Sequence, residues 1–144
     1  MKKIFLSILL LIFCEAGFSQ ELAPAKIPVP VMNTFNIKFP KALSTKWQRP
    51  GLFYNVTFTM GVAEHEASID SVGTVLRHEY DISSRSLPKP VLDNLIQNYR
   101  LFKIEDVQRI DVGRTSTTYR VQIKFDSEQY KVIFDQSGKE LEKK

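Results

Sequence analysis

The sequence predicts an α+β fold: a duplicated helix-plus-antiparallel-sheet repeat in two layers, with the helices on one face of the sheet. The first observation behind this prediction is internal repetition, because the signals at about 28–83 recur at about 88–144. The second is a proline-led run with helical apolar spacing at the start of each copy. The third is the alternation of apolar and polar residues that follows each helix, which is typical of half-buried strands.

The repetition is visible position by position. The segment Pro28-Val29-Pro30-Val31 corresponds to Pro88-Lys89-Pro90-Val91, and a short extra stretch near Gly113 lengthens the second copy. Similar residues then occupy matching places, so both copies should fold in the same way. The matching pairs are Tyr54/Tyr119, Val56/Val121, Phe58/Ile123, Ile69/Phe134, Asp70/Asp135, Gly73/Gly138 and Leu76/Leu141.

Each copy is predicted to begin with an amphipathic helix. Prolines are tolerated in a first helical turn, where the missing N–H would have no partner. Pro40 should end the first helix, since the residue before a proline is driven out of helical geometry. The second helix should end near Arg100 without such a signal. Apolar residues recur every fourth position, at Val31, Phe35 and Phe39 in the first copy and at Val91, Leu95 and Tyr99 in the second.

Alternating residues predict about four antiparallel strands in each copy. In 52–60 every even position is apolar while Asn55, Thr57 and Thr59 are polar. The segments 63–70, 119–125 and 130–135 follow the same pattern, and 44–49 and 102–111 are less regular strands. This period of two implies that one face of the sheet is buried and the other meets water.

Two tetrapeptides predict hairpin turns. Asp70-Ser71-Val72-Gly73 and Asp135-Gln136-Ser137-Gly138 carry Asp first and Gly fourth, as type I turns with a left-handed last residue prefer. One carboxylate per loop is too few for calcium, which takes six to eight oxygen ligands. The sequence Asp70-Ser71-Val72 also resembles a short O-glycosylation signal of exported bacterial proteins, which makes Ser71 a candidate for modification.

The face of the strand after the first turn depends on the turn itself. A two-residue loop would place four apolar or aromatic residues of the following strand on the core face, with His65 and Ile69. A bulged type I turn would place the same four residues on the opposite face. We expect the core face, because apolar Leu141 corresponds to Leu76. The four residues are Leu76, His78, Tyr80 and Ile82.

The first nineteen residues have the features of a signal peptide. Two lysines precede an apolar run at 4–13, and the small residues Gly17 and Ser19 stand three positions and one position before a suitable cleavage point. Residues 1–19 are therefore predicted to be removed during export. The remaining 20–144 should form a single domain in the periplasm or outside the cell.

Export removes the single cysteine. Cys14 follows the bulky Phe13, whereas lipoprotein processing needs a small residue there, so we expect a protein without a lipid anchor. The mature chain would then have no disulfide despite an oxidising destination, and its stability must come from its core.

Charge and hydropathy exclude two classes of function. Removing Lys2, Lys3 and Glu15 leaves 18 basic and 15 acidic residues, a net charge of +3. Nucleic-acid binding needs a concentrated basic stripe, which this mixture lacks. Since no apolar stretch beyond the leader approaches 18 residues, no membrane span is expected in the mature chain.

The residue inventory does not favour an enzyme. After export, His65 and His78 are the groups that ionise near neutral pH, and neither lies in a metal-ligand or phosphate-loop motif. His65 and Ile69 are four residues apart in one predicted strand and should face the same side, which favours a histidine packed in the core. We therefore expect no catalytic residue, no cofactor and no metal.

The order of these motifs resembles the beta-lactamase-inhibitor-like, PepSY-like family of small secreted bacterial proteins. The resemblance covers nearly the whole mature chain. It implies a duplicated two-layer fold similar to that of a secreted beta-lactamase inhibitor, and it implies little about activity. The second copy departs from the pattern, with Arg100 in place of Pro40 and Val107 in place of Trp47. The motifs are Pro-x-x-Val, Phe39-Pro40-Lys41-Ala42, Trp47, Tyr54-x-Val56-x-Phe58 and Asp-x-x-Gly.

The function we expect is protein binding through the uncovered sheet face. The partner would be another exported protein, such as a peptidase or other hydrolase that the chain inhibits. The alternative is a structural envelope protein or a small-ligand carrier. Trp47 is either packed inside or exposed as an anchor, so it is included among the candidates. The candidate partner-binding residues are Trp47, Phe53, Asn55, Thr57, Glu64, Glu66, Arg120, Gln122, Lys124 and Lys131.

Overall fold

The computed structural model describes residues 21–144, so the predicted signal peptide and Cys14 lie outside the described residues. The described chain contains two α-helices and eight strands, with a short 3₁₀ turn before each helix. The bounds are α1 Val29–Lys38, β1 Leu43–Gln48, β2 Phe53–Met60, β3 Ala63–Asp70, β4 Val75–Asp81, α2 Lys89–Asn98, β5 Lys103–Val112, β6 Ser116–Phe125, β7 Glu128–Asp135 and β8 Glu140–Lys143.

All eight strands form one antiparallel sheet in chain order. The predicted α+β class and the numbers of helices and strands are confirmed. One helix followed by four strands occurs in each half of the chain, and the pairing of β4 with β5 joins the halves at the centre of the sheet. Side chains that face each other across paired strands share a face, so the register assigns every strand residue to one side.

Both helices pack on the same side of the sheet. Val31 and Phe35 of α1 and Val91 and Leu95 of α2 are buried. Pro40 follows the end of α1 as predicted, and α2 ends two residues before Arg100. Each helix covers the strands of its own half, which produces two separate cores rather than one.

Aromatic and β-branched side chains fill the two cores at the alternating positions that the sequence indicates. Phe58 is 1% exposed in the first core, and Phe134 is fully buried in the second. The first core contains Ile27, Val31, Phe35, Phe39, Trp47, Tyr54, Val56, Phe58, Ala67 and Ile69. The second contains Leu87, Val91, Leu95, Tyr99, Val107, Tyr119, Val121, Ile123, Val132 and Phe134.

Trp47 belongs to the first core. Its side chain is 2% exposed, and its ring meets that of Phe35 edge-on with 5.1 Å between the centroids. Of the two alternatives for this residue, the structure therefore shows the packed one. Trp47 cannot serve as an exposed anchor, and it leaves the set of candidate partner-binding residues.

The turn between β3 and β4 has the predicted geometry. The N–H of Gly73 donates to the carbonyl of Asp70 at 3.1 Å, and Gly73 has a φ of +92°. Asp70 Oδ1 also accepts from the backbone N–H groups of Val72 and Thr74, at 3.1 and 2.7 Å. The Asp135–Gly138 turn repeats the closing bond at 3.1 Å. These bonds explain why Asp and Gly stand at the ends of both turns.

A β-bulge near Ile69 decides the face of β4. His65 pairs with Tyr80 and Ala67 with His78, so both of these β4 side chains face the helices, as expected. The prediction was wrong for Leu76, which is 39% exposed. Ile69 pairs with Val75 and Ser68 pairs with Arg77, so Leu76 is the extra, unpaired residue of the bulge. The comparison with Leu141 was misleading, since that residue is 50% exposed.

Candidate functional site

The sheet side opposite the helices is the candidate site, and we call it the open face. Register places nine of the ten candidate residues on this side, and neither hydrophobic core includes any of them. Residues of β4 and β5 that were not among the candidates lie between them. The open face includes Phe53, Asn55, Thr57, Glu64, Glu66, Arg77, Glu79, Asp81, Gln108, Arg120, Gln122, Lys124 and Lys131.

A hydrogen-bonded network occupies the middle of the open face. Glu79 on β4 accepts from the guanidinium groups of Arg77 and Arg120. Arg120 on β6 also donates to Gln108 Oε1 at 2.7 Å, and Gln108 Nε2 donates to Asp81 Oδ1 at 3.0 Å. The network therefore crosses β4, β5 and β6 and links side chains from both halves of the chain. We call these five residues the central network.

The environment of Glu79 keeps it ionised. Burial raises the pKa of this carboxyl, but hydrogen bonds and charges from Arg77 and Arg120 outweigh burial, and the net pKa is lowered. The side chain of Glu79 is 15% exposed and that of Arg120 is 29% exposed. Charge-assisted bonds of this kind fix side-chain positions more firmly than neutral ones. The centre of the open face is therefore preorganised.

The end of the open face that is formed by the first half of the chain carries polar and acidic side chains. Ser68, which is 9% exposed, donates to Asn55 Oδ1 at 2.7 Å, and Asn55 Nδ2 reaches Glu66 Oε1 at 3.5 Å. Glu64 and Glu66 are exposed, whereas Phe53 is half-buried. This end thus presents two exposed carboxylates beside an aromatic edge.

The second-half end of the open face carries two exposed lysines. Lys131 pairs with Gln122 across β6 and β7, and Lys124 lies on the same side further along β6. Glu105, which was not a candidate, accepts from Gln122 at 3.5 Å and also from Gln129 at 2.8 Å. The register thus places the two glutamates and the two lysines toward opposite ends of the open face, with Lys46 beside the glutamates and Glu105 beside the lysines.

Sequence reasoning missed the β4 and β5 members of the central network. The sequence does show that Arg77, Glu79 and Asp81 alternate with His78 and Tyr80, as residues on the two faces of a strand do. That alternation gives two sets of residues but not the face of each set. Only the bulge after Ser68 resolves this, and with it the side chains that meet at the join between the halves.

The two histidines lie on the opposite, helix-bearing side. His65 Nδ1 is 3.0 Å from His78 Nε2, and both rings stack near the ring of Tyr80. Burial lowers the pKa of His65 and, together with the nearby charge of His65, lowers the pKa of His78 to about 4. Both imidazoles are therefore neutral at pH 7.

Neither a metal centre nor a membrane-spanning helix is found among residues 21–144. No three side chains of the His, Cys, Asp or Glu type in that range lie together in a way that could hold a metal ion. The helices of the same range are also too short and too polar to cross a bilayer.

No protein-family profile and no curated protein sequence matches this chain. Similarity is found among solved structures instead. A DUF2874 family protein from Bacteroides uniformis superimposes with a TM-score of 0.70 at 15% identity, over 81% of this chain and 88% of that one. A protein from Bacteroides eggerthii, provisionally described as periplasmic, gives 0.71 at 14% identity, over 81% and 87%.

A BLIP-like (beta-lactamase-inhibitor-protein-like) protein from Bacteroides fragilis gives a TM-score of 0.65 at 22% identity, over 80% of this chain and 83% of that chain. At such low identity these matches establish the fold alone. The chain therefore has a BLIP-like fold, which agrees with the fold that the sequence resemblance implies. The PepSY part of that resemblance has no counterpart among the matches.

Proposed function

We propose that this chain is an exported, non-enzymatic binding module that recognises another exported protein through its open face. The observation that carries the proposal is the central network. It forms a fixed, charged surface in the middle of a sheet face, while both hydrophobic cores lie on the other side. A surface whose polar groups are already ordered loses less entropy on binding than a flexible one.

The size and chemistry of the open face suit a protein partner. A stable interface buries roughly 800 Å² on each partner, which an eight-stranded sheet can supply. Arg120 and Phe53 belong to residue types that are enriched at interface centres. Charges at the two ends would steer and orient a partner, while the central network would be desolvated in the complex.

The proposal includes inhibition of an exported peptidase or other hydrolase. It is supported by the similarity of the fold to that of a BLIP-like protein. We also propose that 20–144 is one domain made of two repeats, at about 28–83 and 88–144, that belongs with the beta-lactamase-inhibitor-like, PepSY-like proteins. The recurring order of one helix and four strands supports this duplication.

Export through residues 1–19 completes the proposal. The supporting observations are the lysine-led apolar run in the sequence and the provisional periplasmic description of one structural neighbour.

Site-specific photo-crosslinking in the exporting cell tests the proposal. A photoreactive amino acid at Asn55 or Gln122 samples the open face, and the same amino acid at the exposed helix positions Asn36 or Gln97 is the matched control. We expect discrete protein adducts from both open-face positions and none from the helix positions. Adducts from the helix positions alone, or none from the open face, would refute the proposed surface.

A captured partner allows a quantitative second step. Reversal of Lys124 and Lys131 to Glu should weaken binding about tenfold and change its salt dependence, because surface charges act mainly through steering and register. The matched control reverses Lys26 and Lys41, two exposed lysines outside the sheet. Equal loss of affinity in both double variants would mean that net charge, rather than the open face, determines binding.

A further inference from the structure

A groove on the helix-bearing side lies where the first half of the chain meets the second. α1 covers strands of the first half and α2 those of the second, which leaves the helix side of β4 and β5 only partly covered. The groove has a volume of about 490 Å³, and its lining is mostly apolar. We call it the seam groove. Its lining includes Thr34, Lys38, Phe39, His78, Asp111 and Arg114.

The volume of the seam groove is typical of a small-molecule site, since such sites measure about 300–1,000 Å³ and combine apolar walls with a few polar groups. Phe39 and Val75 supply apolar surface, and the half-buried His78 supplies a ring. His78 is neutral at pH 7. The interior is therefore suited to the uncharged body of a ligand.

The charged groups at the seam groove favour an anion. Lys38 and Arg114 are exposed cations that line the groove, one at the end of α1 and one in the turn between β5 and β6. Asp111 is the single carboxylate in the described lining, and it accepts from Arg109 Nε at 3.0 Å and from Thr117 Oγ1 at 2.6 Å. Since Asp111 is already paired, the charge available to a ligand is positive.

Arg77 also borders the groove but does not contribute this charge. Its guanidinium group donates to Glu79 in the central network on the open face. Lys38 and Arg114 are thus the two cations of the groove lining that do not belong to the central network.

We propose that the seam groove binds a small organic carboxylate with an apolar body. The carboxylate lies between Lys38 and Arg114, and the apolar body lies against Phe39, Val75 and the ring of His78. This site is on the opposite side of the sheet from the open face, so it does not depend on the proposed protein-binding function. It gives a physical basis to a carrier role.

Binding of 2-naphthoate and of decanoate, measured by calorimetry, tests the site, and the two probes distinguish an aryl from an acyl body. The uncharged 2-naphthalenemethanol and decanol are the matched comparisons. We expect at least one carboxylate to bind about tenfold more tightly than its alcohol. Failure of both carboxylates to bind at millimolar concentration, or equal affinity for acid and alcohol, would overturn the proposal.

Two double variants locate the carboxylate. K38E with R114E should lower the affinity at least about tenfold, whereas K124E with K131E makes the same change in net charge on the open face and should leave the affinity unaltered. Thermal melting verifies that both proteins fold. Equal affinities in the two double variants would overturn the proposal.

Amide NMR provides a readout that needs no variant. Added 2-naphthoate or decanoate should shift the backbone signals of Thr34 and Gly113, which border the groove, and leave that of Gln122 on the open face in place. Shifts confined to the open face would place the probe elsewhere and contradict the proposed site.

Discussion

At the residue scale, His65 and His78 couple ionisation to folding. Their ring nitrogens are 3.0 Å apart, so one imidazole must donate the hydrogen bond and the other must accept it. If both rings were protonated, two N–H donors would face each other with no acceptor between them. Burial lowers both pKa values, and the charge of His65 lowers that of His78 further. Protonation of the pair is therefore easier in the unfolded chain.

We predict that this pair makes stability fall with acidification. The pKa of His78 is about 4 in the folded protein and 6.5 in its ordinary state, so the unfolded chain holds more protons between these values. The stabilisation is complete above pH 6.5 and is lost as the pH falls toward 4. Allowing for partial solvent screening, the loss is about 1–2 kcal/mol.

Urea unfolding of the wild type and of His78→Gln between pH 7.5 and 4.5 measures this effect. The carboxylates titrate in both proteins, so the difference between their stability curves isolates the histidine. We expect a flatter curve for the variant. Identical curves would show that His78 does not ionise upon unfolding.

At the element scale, glycines anchor both hairpin turns against the helices. A Cβ added to Gly73 would lie 2.8 Å from the carbonyl oxygen of Pro30, and one added to Gly138 would lie 2.3 Å from that of Pro90. Both residues also have a positive φ, +92° and +82°. The same contact thus occurs in each half, between the last hairpin turn and the first turn of the helix.

Substitution of either glycine by alanine should destabilise the protein by about 2–4 kcal/mol, because left-handed strain adds to a clash with backbone atoms. Gly61→Ala is the matched control, with a φ of +64° and no atom within 4 Å of the added Cβ. It should cost only about 1–2 kcal/mol. Equal losses for all three variants in urea unfolding would show that the helix contact is unimportant.

The two cores should respond alike to cavity formation. Phe58→Ala and Phe134→Ala each remove a fully buried ring and should cost about 3–5 kcal/mol. The open-face substitutions Thr57→Ala and Gln122→Ala are half-buried controls that should stay within about 0.5 kcal/mol. Urea unfolding measures all four, and comparable losses in both sets would contradict the assignment of faces.

At the scale of the whole molecule, we predict that the mature protein begins at Gln20. Cleavage after Ser19 removes Cys14, so the exported chain should contain no cysteine. Intact mass spectrometry of secreted or periplasmic material measures this. A species that retains Cys14 with an added acyl mass would instead establish a lipoprotein.

The sequence by itself determined the fold class, the order of helices and strands, and most of both cores. Periodicity carries this information, because Tyr54, Val56 and Phe58 alternate with polar residues, and Val31 and Phe35 recur at helical spacing. The Asp and Gly at the ends of Asp70–Gly73 and Asp135–Gly138 likewise predicted the two hairpin turns. These are local properties, since each depends on residues close together in the chain.

Only the tertiary structure decided which groups meet across the sheet. A period of two divides β4 into two sets but does not give the face of either, and the bulge at Ile69 placed His78 toward the helices, Glu79 toward the open face and Leu76 in solvent. The central network and the seam groove both lie at the β4–β5 join. Their residues come from distant parts of the chain, so their proximity follows from strand register, which local patterns do not specify.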